Sequence, residues 1–122
     1  MNETQQQVVL RYRNGRTERA ALEGVDMTEQ SFRVTREDGE DGEVPFAEIK
    51  AVFYPRVAGD GEGEEAAGST IAVEFADGEI IRGIAQYNPE RNGFFLYPLD
   101  RSKNDRIFVV NSAIVSIEVE RL

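Results

Sequence analysis

The chain has no cysteine, no histidine and no tryptophan, and only two of its 14 basic residues are lysine. Without cysteine there are no disulfides and no thiol chemistry, which fits a reducing compartment. Without histidine as well, ordinary zinc sites and the Ser-His-Asp and Cys-His nucleophile systems are excluded. Carboxylates are abundant, but acid–base catalysis needs two of them in one sheltered cleft, and here they concentrate in loops. The expectation is a protein that is not an enzyme and holds no cofactor or metal. Asp60-Gly61-Glu62-Gly63-Glu64 has the alternating acids of a calcium loop, yet Glu65 stands where the sixth-position glycine belongs and Ile71 where the bidentate acid belongs. No apolar run approaches the ~20 residues of a membrane helix. Residues 1–7 (MNETQQQ) lack the basic start and apolar stretch of a signal peptide. The chain is therefore expected in the cytoplasm and away from membranes.

What is present is acid, unevenly spread. The formal net charge is −9, from 23 acidic and 14 basic residues. Glu37, Asp38, Glu40, Asp41 and Glu43 fall in one short segment, and Asp60, Glu62, Glu64 and Glu65 in another. Setting those nine aside leaves 14 acids against 14 bases, so the body is balanced and carries two acidic loops. A protein that tracks a nucleic-acid backbone normally shows a basic stripe, and none is evident.

The sequence then matches itself. Val8 to Gly15 (VVLRYRNG) aligns with Ile71 to Gly78 (IAVEFADG) at an offset of 63, which also carries Arg19 onto Arg82, Ala20 onto Gly83 and Phe32 onto Phe95. Beyond a small insertion the offset becomes 65 and pairs Val44 with Val109, Ile49 with Ile114 and Val52 with Ile117. This pattern predicts a tandem duplication: residues 1–7 as a disordered N-terminus, 8–56 as the first β repeat, 57–69 as an acidic, glycine-rich linker and 70–120 as the second. Within each unit the apolar period is two, the mark of strands with one buried face. Asn14-Gly15 and Asp77-Gly78 supply residues that tolerate positive φ in a two-residue hairpin turn. Five strands follow in each unit, with a 3₁₀ turn before the fifth. Short strands of this kind are expected to close as small barrels, because closure removes exposed edges. The expected fold is all-β: two five-stranded Sm-like or SH3-like small barrels packed into one compact body, with one intertwined sheet as the alternative arrangement.

Duplicated units should bury corresponding positions, so differences between them are informative. On the offset of 63, Ser31 and Arg33 correspond to Phe94 and Leu96. The third strand of the second unit (Phe94 to Leu99) is apolar on both faces, as is Ile107 to Val110. Leaving Phe94 and Leu96 in water would forgo about 1.5–3 kcal/mol each. Either the first unit covers them, or Phe94, Leu96 and Leu99 form a surface for a protein partner or for self-association.

Several motifs resemble known families. Val73-x-Phe75-x-Asp77-Gly78, followed by Gly83, resembles the first motif of Sm-like barrels, which implies RNA binding and ring assembly. The second Sm motif has no counterpart in Val109 to Ile117, so the resemblance speaks for the barrel and not for the RNA. Asp26 to Ser31 loosely resembles the second motif of PilZ domains, which bind a cyclic dinucleotide; Thr28 stands for the motif's serine and Ser31 for its glycine. No arginine pair has the spacing that such a ligand requires. More broadly, Gly83 to Phe95 and Asn104 to Ile114 are similar to an uncharacterised bacterial two-repeat β-domain family, sometimes attached to PilZ-type signalling modules, with which no activity is associated.

The function expected first is a non-enzymatic interaction or regulatory module in bacterial signalling or assembly. Its contact would be Phe94, Leu96 and Leu99, or a partner strand added to an open sheet edge. The second expectation is nucleic-acid binding through Arg91, Arg101, Lys103 and Arg106, on loops near Tyr87 and Phe94. Cyclic dinucleotide binding is the remote third.

Overall fold

The computed structural model describes residues 6–22, 30–55, 68–100 and 103–120. Nearly all of the expected linker, the acidic group at 60–65, the PilZ-like turn up to residue 29 and Arg101 lie outside the described residues. There are ten strands: β1 (Gln6–Tyr12), β2 (Thr17–Leu22), β3 (Ser31–Arg36), β4 (Asp41–Pro45), β5 (Ile49–Pro55), β6 (Ser69–Phe75), β7 (Ile80–Ala85), β8 (Gly93–Pro98), β9 (Asn104–Val110) and β10 (Ile114–Val119). Single 3₁₀ turns, Phe46–Glu48 and Asn111–Ala113, precede β5 and β10. Gln6 and Gln7, expected in a disordered N-terminus, instead begin β1, where they pair with Leu22 and Ala21.

The expected pair of small barrels gives way to one sheet. All ten strands form a continuous antiparallel sheet that is not closed, in the order β10-β6-β7-β8-β9-β5-β1-β2-β3-β4. Each half contributes the same order, fifth strand first and then one to four, and the halves meet where β9 pairs with β5. Each of these strands finds its second neighbour in the other half.

That joint has a geometric consequence. Adjacent strands are antiparallel throughout, so five places along the sheet reverse the strand direction. Keeping the order while reversing the direction requires a half-turn about an axis lying across the strands, and this turns the sheet over. The pairings agree, because directly opposed residues share a face. Leu10, Val52, Phe108 and Phe95 lie side by side on one face, and Arg11, Ala51, Val109 and Phe94 on the other. On the first face Phe32 and Phe46 reach Phe108, with ring centroids 5.8 and 6.1 Å apart. On the second, Lys50 and Arg11 meet the β6–β7 hairpin. β5 and the C-terminal part of β9 are thus buried on both sides, which is why their sequences are apolar without alternation.

The hairpins differ in detail from expectation. Only the glycines take positive φ: Gly15 at 93° and Gly78 at 89°. Tyr12 N–H donates to Arg16 O and Phe75 N–H to Glu79 O, enclosing three residues rather than two. The Asn14 and Asp77 side chains accept from the backbone N–H of Arg16 and Glu79 at 2.9 and 3.0 Å, which fixes a three-residue loop ending in a left-handed glycine.

Candidate functional site

The joint holds a buried charge, Lys50. In β5 Lys50 is an extra residue between the pairs Arg11–Ala51 and Tyr12–Ile49, a β-bulge that aims its side chain towards the second half. Its ammonium is buried, donates to Asp77 Oδ2 at 2.7 Å and to Glu79, and lies 4.9 Å from the Phe75 ring. The hydrogen bond from Lys50 holds the Asp77 carboxyl below its ordinary range. Arg11 adds an ion pair to Glu79 at 3.4 Å and stacks on Phe53. Arg13 donates to the Ile49 and Phe46 carbonyls at 3.1 and 3.3 Å and to Ser112 Oγ; burial lowers its pKa. Between them lies a cleft of about 150 Å³ lined by Arg13, Lys50, Phe75, Asp77, Ser112 and Val115. A few waters or one small side chain would fill it. Lys50 is already matched by carboxylates, so the cluster acts as an ionic clasp between the halves. Among the described residues no group of three or more acids forms a metal cluster, and no helix is long and apolar enough to cross a membrane.

The residues proposed from sequence separate. Pairing shows that Phe32 and Val34 correspond to Phe94 and Leu96, since Phe32 faces Val44 as Phe94 faces Val109, and Val34 faces Leu22 as Leu96 faces Ala85. The alignment on offset 63 was therefore one residue out in this strand, because the connection into β8 is one residue shorter than that into β3. A slip of one exchanges the faces. Phe94 (3% exposed) and Leu96 (0%) belong to the core and are covered by the chain itself, so they offer no partner surface; Leu99 alone of the three is exposed, at 60%. The additional apolar residues of β8 are Phe95 and Tyr97, standing where the first half has Arg33 and Thr35. Phe95 packs on Tyr54 across the joint, with centroids 5.8 Å apart.

The proposed basic rim does not converge either. Arg106 is committed to the joint: its guanidinium lies 4.5 Å from the Tyr54 ring centroid and 4.9 Å from that of Phe95, and it donates to Gln6 at 2.8 Å. Arg91 and Lys103 are exposed on separate connections. Tyr87 packs edge-on against Phe94 at 5.4 Å.

A different feature emerges when the two halves are compared by pairing. In β5, Val52 and Tyr54 face the first half's core and are buried because β9 continues the sheet beside them. Their counterparts in β10 are Ile117 and Val119, paired with Val73 and Ile71 on the core face of the second half. No described strand continues the sheet beyond β10. Ile117 is only partly buried and Val119 is 55% exposed. Val115 occupies the same bulge as Lys50, lines the cleft and is 62% exposed. The opposite edge, β4, is short and carries Asp41, Gly42, Glu43 and Pro45, the usual means of blunting an edge. β10 has the bulge at Val115, Glu118 and the adjoining Glu120 for that purpose, and no proline among its described residues.

Sequence similarity covers the whole of this arrangement. Residues 4–121 match the Family of unknown function (DUF6982). The chain belongs to this family. The resemblance to an uncharacterised domain family therefore stands. No curated protein and no solved structure matches the chain. The family carries no assigned role, and the feature that sets the second half of this DUF6982 member apart is the exposed edge of β10.

Proposed function

We propose that this protein is a non-enzymatic interaction module, a duplicated β unit that takes up an extended strand of a protein partner along β10. The observation that carries this reading is the exposure of Ile117 and Val119 on the core face of an edge strand whose counterpart in the first half is covered. A strand laid there would extend the sheet through main-chain hydrogen bonds and shield the apolar stripe, the mode known as β-augmentation. The alternative in which RNA binds loses support from the commitment of Arg106 to the joint, and among the described residues no arginine cluster is placed to hold a cyclic dinucleotide.

The reading is tested by affinity capture from nuclease-treated lysate with the wild-type chain and two variants. Ile117→Lys places a charge on the stripe, and Val119→Pro removes a backbone donor that points out from the edge, since the alternate residue Glu120 donates inward to Thr70. Both sit on a border strand, so retained folding is checked by circular dichroism and melting. Loss of the same protein from both folded variants supports strand addition. Undiminished capture by both would refute it, and capture that depends on nucleic acid would move RNA binding to first place.

A further inference from the structure

Resting on that reading, we infer that the strand received by β10 belongs to a different protein and alternates apolar or aromatic residues with lysine or arginine. The internal joint supplies the register. In it, Ala51, Val52, Phe53 and Tyr54 stand opposite Val109, Phe108, Ile107 and Arg106. Carried onto the second half by the pairings, these four become Ser116, Ile117, Glu118 and Val119. An incoming antiparallel strand therefore sets one residue over Ile117, on the core face, where Phe108 lies over Val52. That residue must be apolar, and an aromatic ring fits the place that Phe108 fills at the joint. The residue opposite Val119 shares this face and has the same requirement.

The other face differs between joint and edge. At the joint Ala51 and Phe53 are buried, whereas at β10 Ser116 and Glu118 are exposed. Glu118 and the neighbouring Glu120 make this side acidic, and Glu120 already holds Arg82 at 3.0 Å. A residue opposite Glu118 is favoured when basic and disfavoured when acidic. A second copy of this chain offering its other edge, β4, fails the same requirement. Its exposed fourth strand, in the register of β9, would set Glu43 over Ile117 and Asp41 over Val119, placing carboxylates on the apolar stripe beside two further acids. The charge pattern opposes chaining of copies from β4 to β10 and favours a basic, apolar strand from another protein.

The test uses the full chain, labelled with ¹⁵N, and two capped synthetic peptides built on the core Val-Lys-Phe-Thr-Val or Val-Glu-Phe-Thr-Val with identical neutral flanks. The lysine peptide is expected to shift the amides of β10 and β6, and to bind at least about tenfold more tightly than the glutamate peptide at low salt, a gap that narrows as salt is added. Equal shifts of β10 by both peptides would overturn the partner chemistry while leaving strand addition standing. Absence of any shift in β10, with capture in the preceding experiment unaffected by Ile117→Lys, would overturn both. Shifts confined to β5 would mean that the peptide displaces β9, and would likewise refute the assignment.

Discussion

Phe108 offers the most direct test of the shared sheet. It belongs to β9 in the second half, yet it is fully buried on the first half's face, against Phe32, Phe46 and Phe95 at 5.2–6.1 Å between ring centroids. Phe108→Ala removes the ring and leaves a cavity, at a cost of about 3–5 kcal/mol. Against the roughly 5–15 kcal/mol that holds a domain folded, this is about a fifth or more of the whole. With a urea slope near 1.5 kcal/mol per M, the midpoint should fall by about 2–3 M. The assay is urea unfolding followed by the amide signals of Leu10 in β1 and Val73 in β6, both buried and one in each half. Because the halves share strands, both signals should be lost at the same lowered midpoint. If Val73 melts early while Leu10 keeps its wild-type midpoint, the halves are independent and the shared-sheet argument is wrong. A loss below about 1 kcal/mol would show that the ring is not enclosed as described.

Two further outcomes follow from local geometry. A Cβ on Gly93 would overlap the Phe108 ring and the Val109 carbonyl, so Gly93→Ala should lower stability by about 1–3 kcal/mol, read as a fall in melting temperature; an unchanged melt would contradict the close approach of β8 and β9. Acid should act through Glu18 and Asp77, whose carboxyls are held below their ordinary range, Glu18 by the Tyr12 hydroxyl at 2.7 Å and by Arg36, and Asp77 by Lys50. Because the unfolded chain takes up these protons first, their contribution is intact above about pH 4–5 and is lost as pH falls through the lower folded values. Urea midpoints should therefore hold from pH 7 to about 5 and then decline, less so in Lys50→Met than in wild type; an equal decline in the two would remove Asp77 from the account.

Much of this was legible in the sequence, and the reasons are local. The alternation of Val8, Leu10 and Tyr12, the Asn14-Gly15 and Asp77-Gly78 turns, and the two 3₁₀ segments all depend on near neighbours, and those elements are in place. The relation between the halves depends on which strand meets which, and period-two patterning does not encode that. The two-faced apolar strand correctly pointed to extra burial, but the loop before β8 is one residue shorter, and the alignment therefore named Phe94 and Leu96 instead of Phe95 and Tyr97. The exposed stripe of β10 was missed because Ile114, Ile117 and Val119 read as an ordinary half-buried strand. A signal for it existed at the offset of 65: Ala51 and Phe53 face Ser116 and Glu118 in the alignment, which says that β5 is covered on a side where β10 meets water.

The joint also orders events in time as the chain is made. β5 leaves the ribosome with apolar residues on both faces, but the strand that completes it, β9, follows only about fifty residues later. At ordinary elongation rates the delay is roughly 3–10 seconds. During that interval Ile49 to Tyr54 form an uncovered, β-prone and nearly uncharged segment of the sort that seeds aggregates. A chain ended after Pro55 should therefore collect in the insoluble fraction on expression, and Phe53→Glu, which copies the residue at 118, should return it to solution. The stretch between the halves then has a kinetic meaning: each residue added to it lengthens the time that β5 waits for its partner.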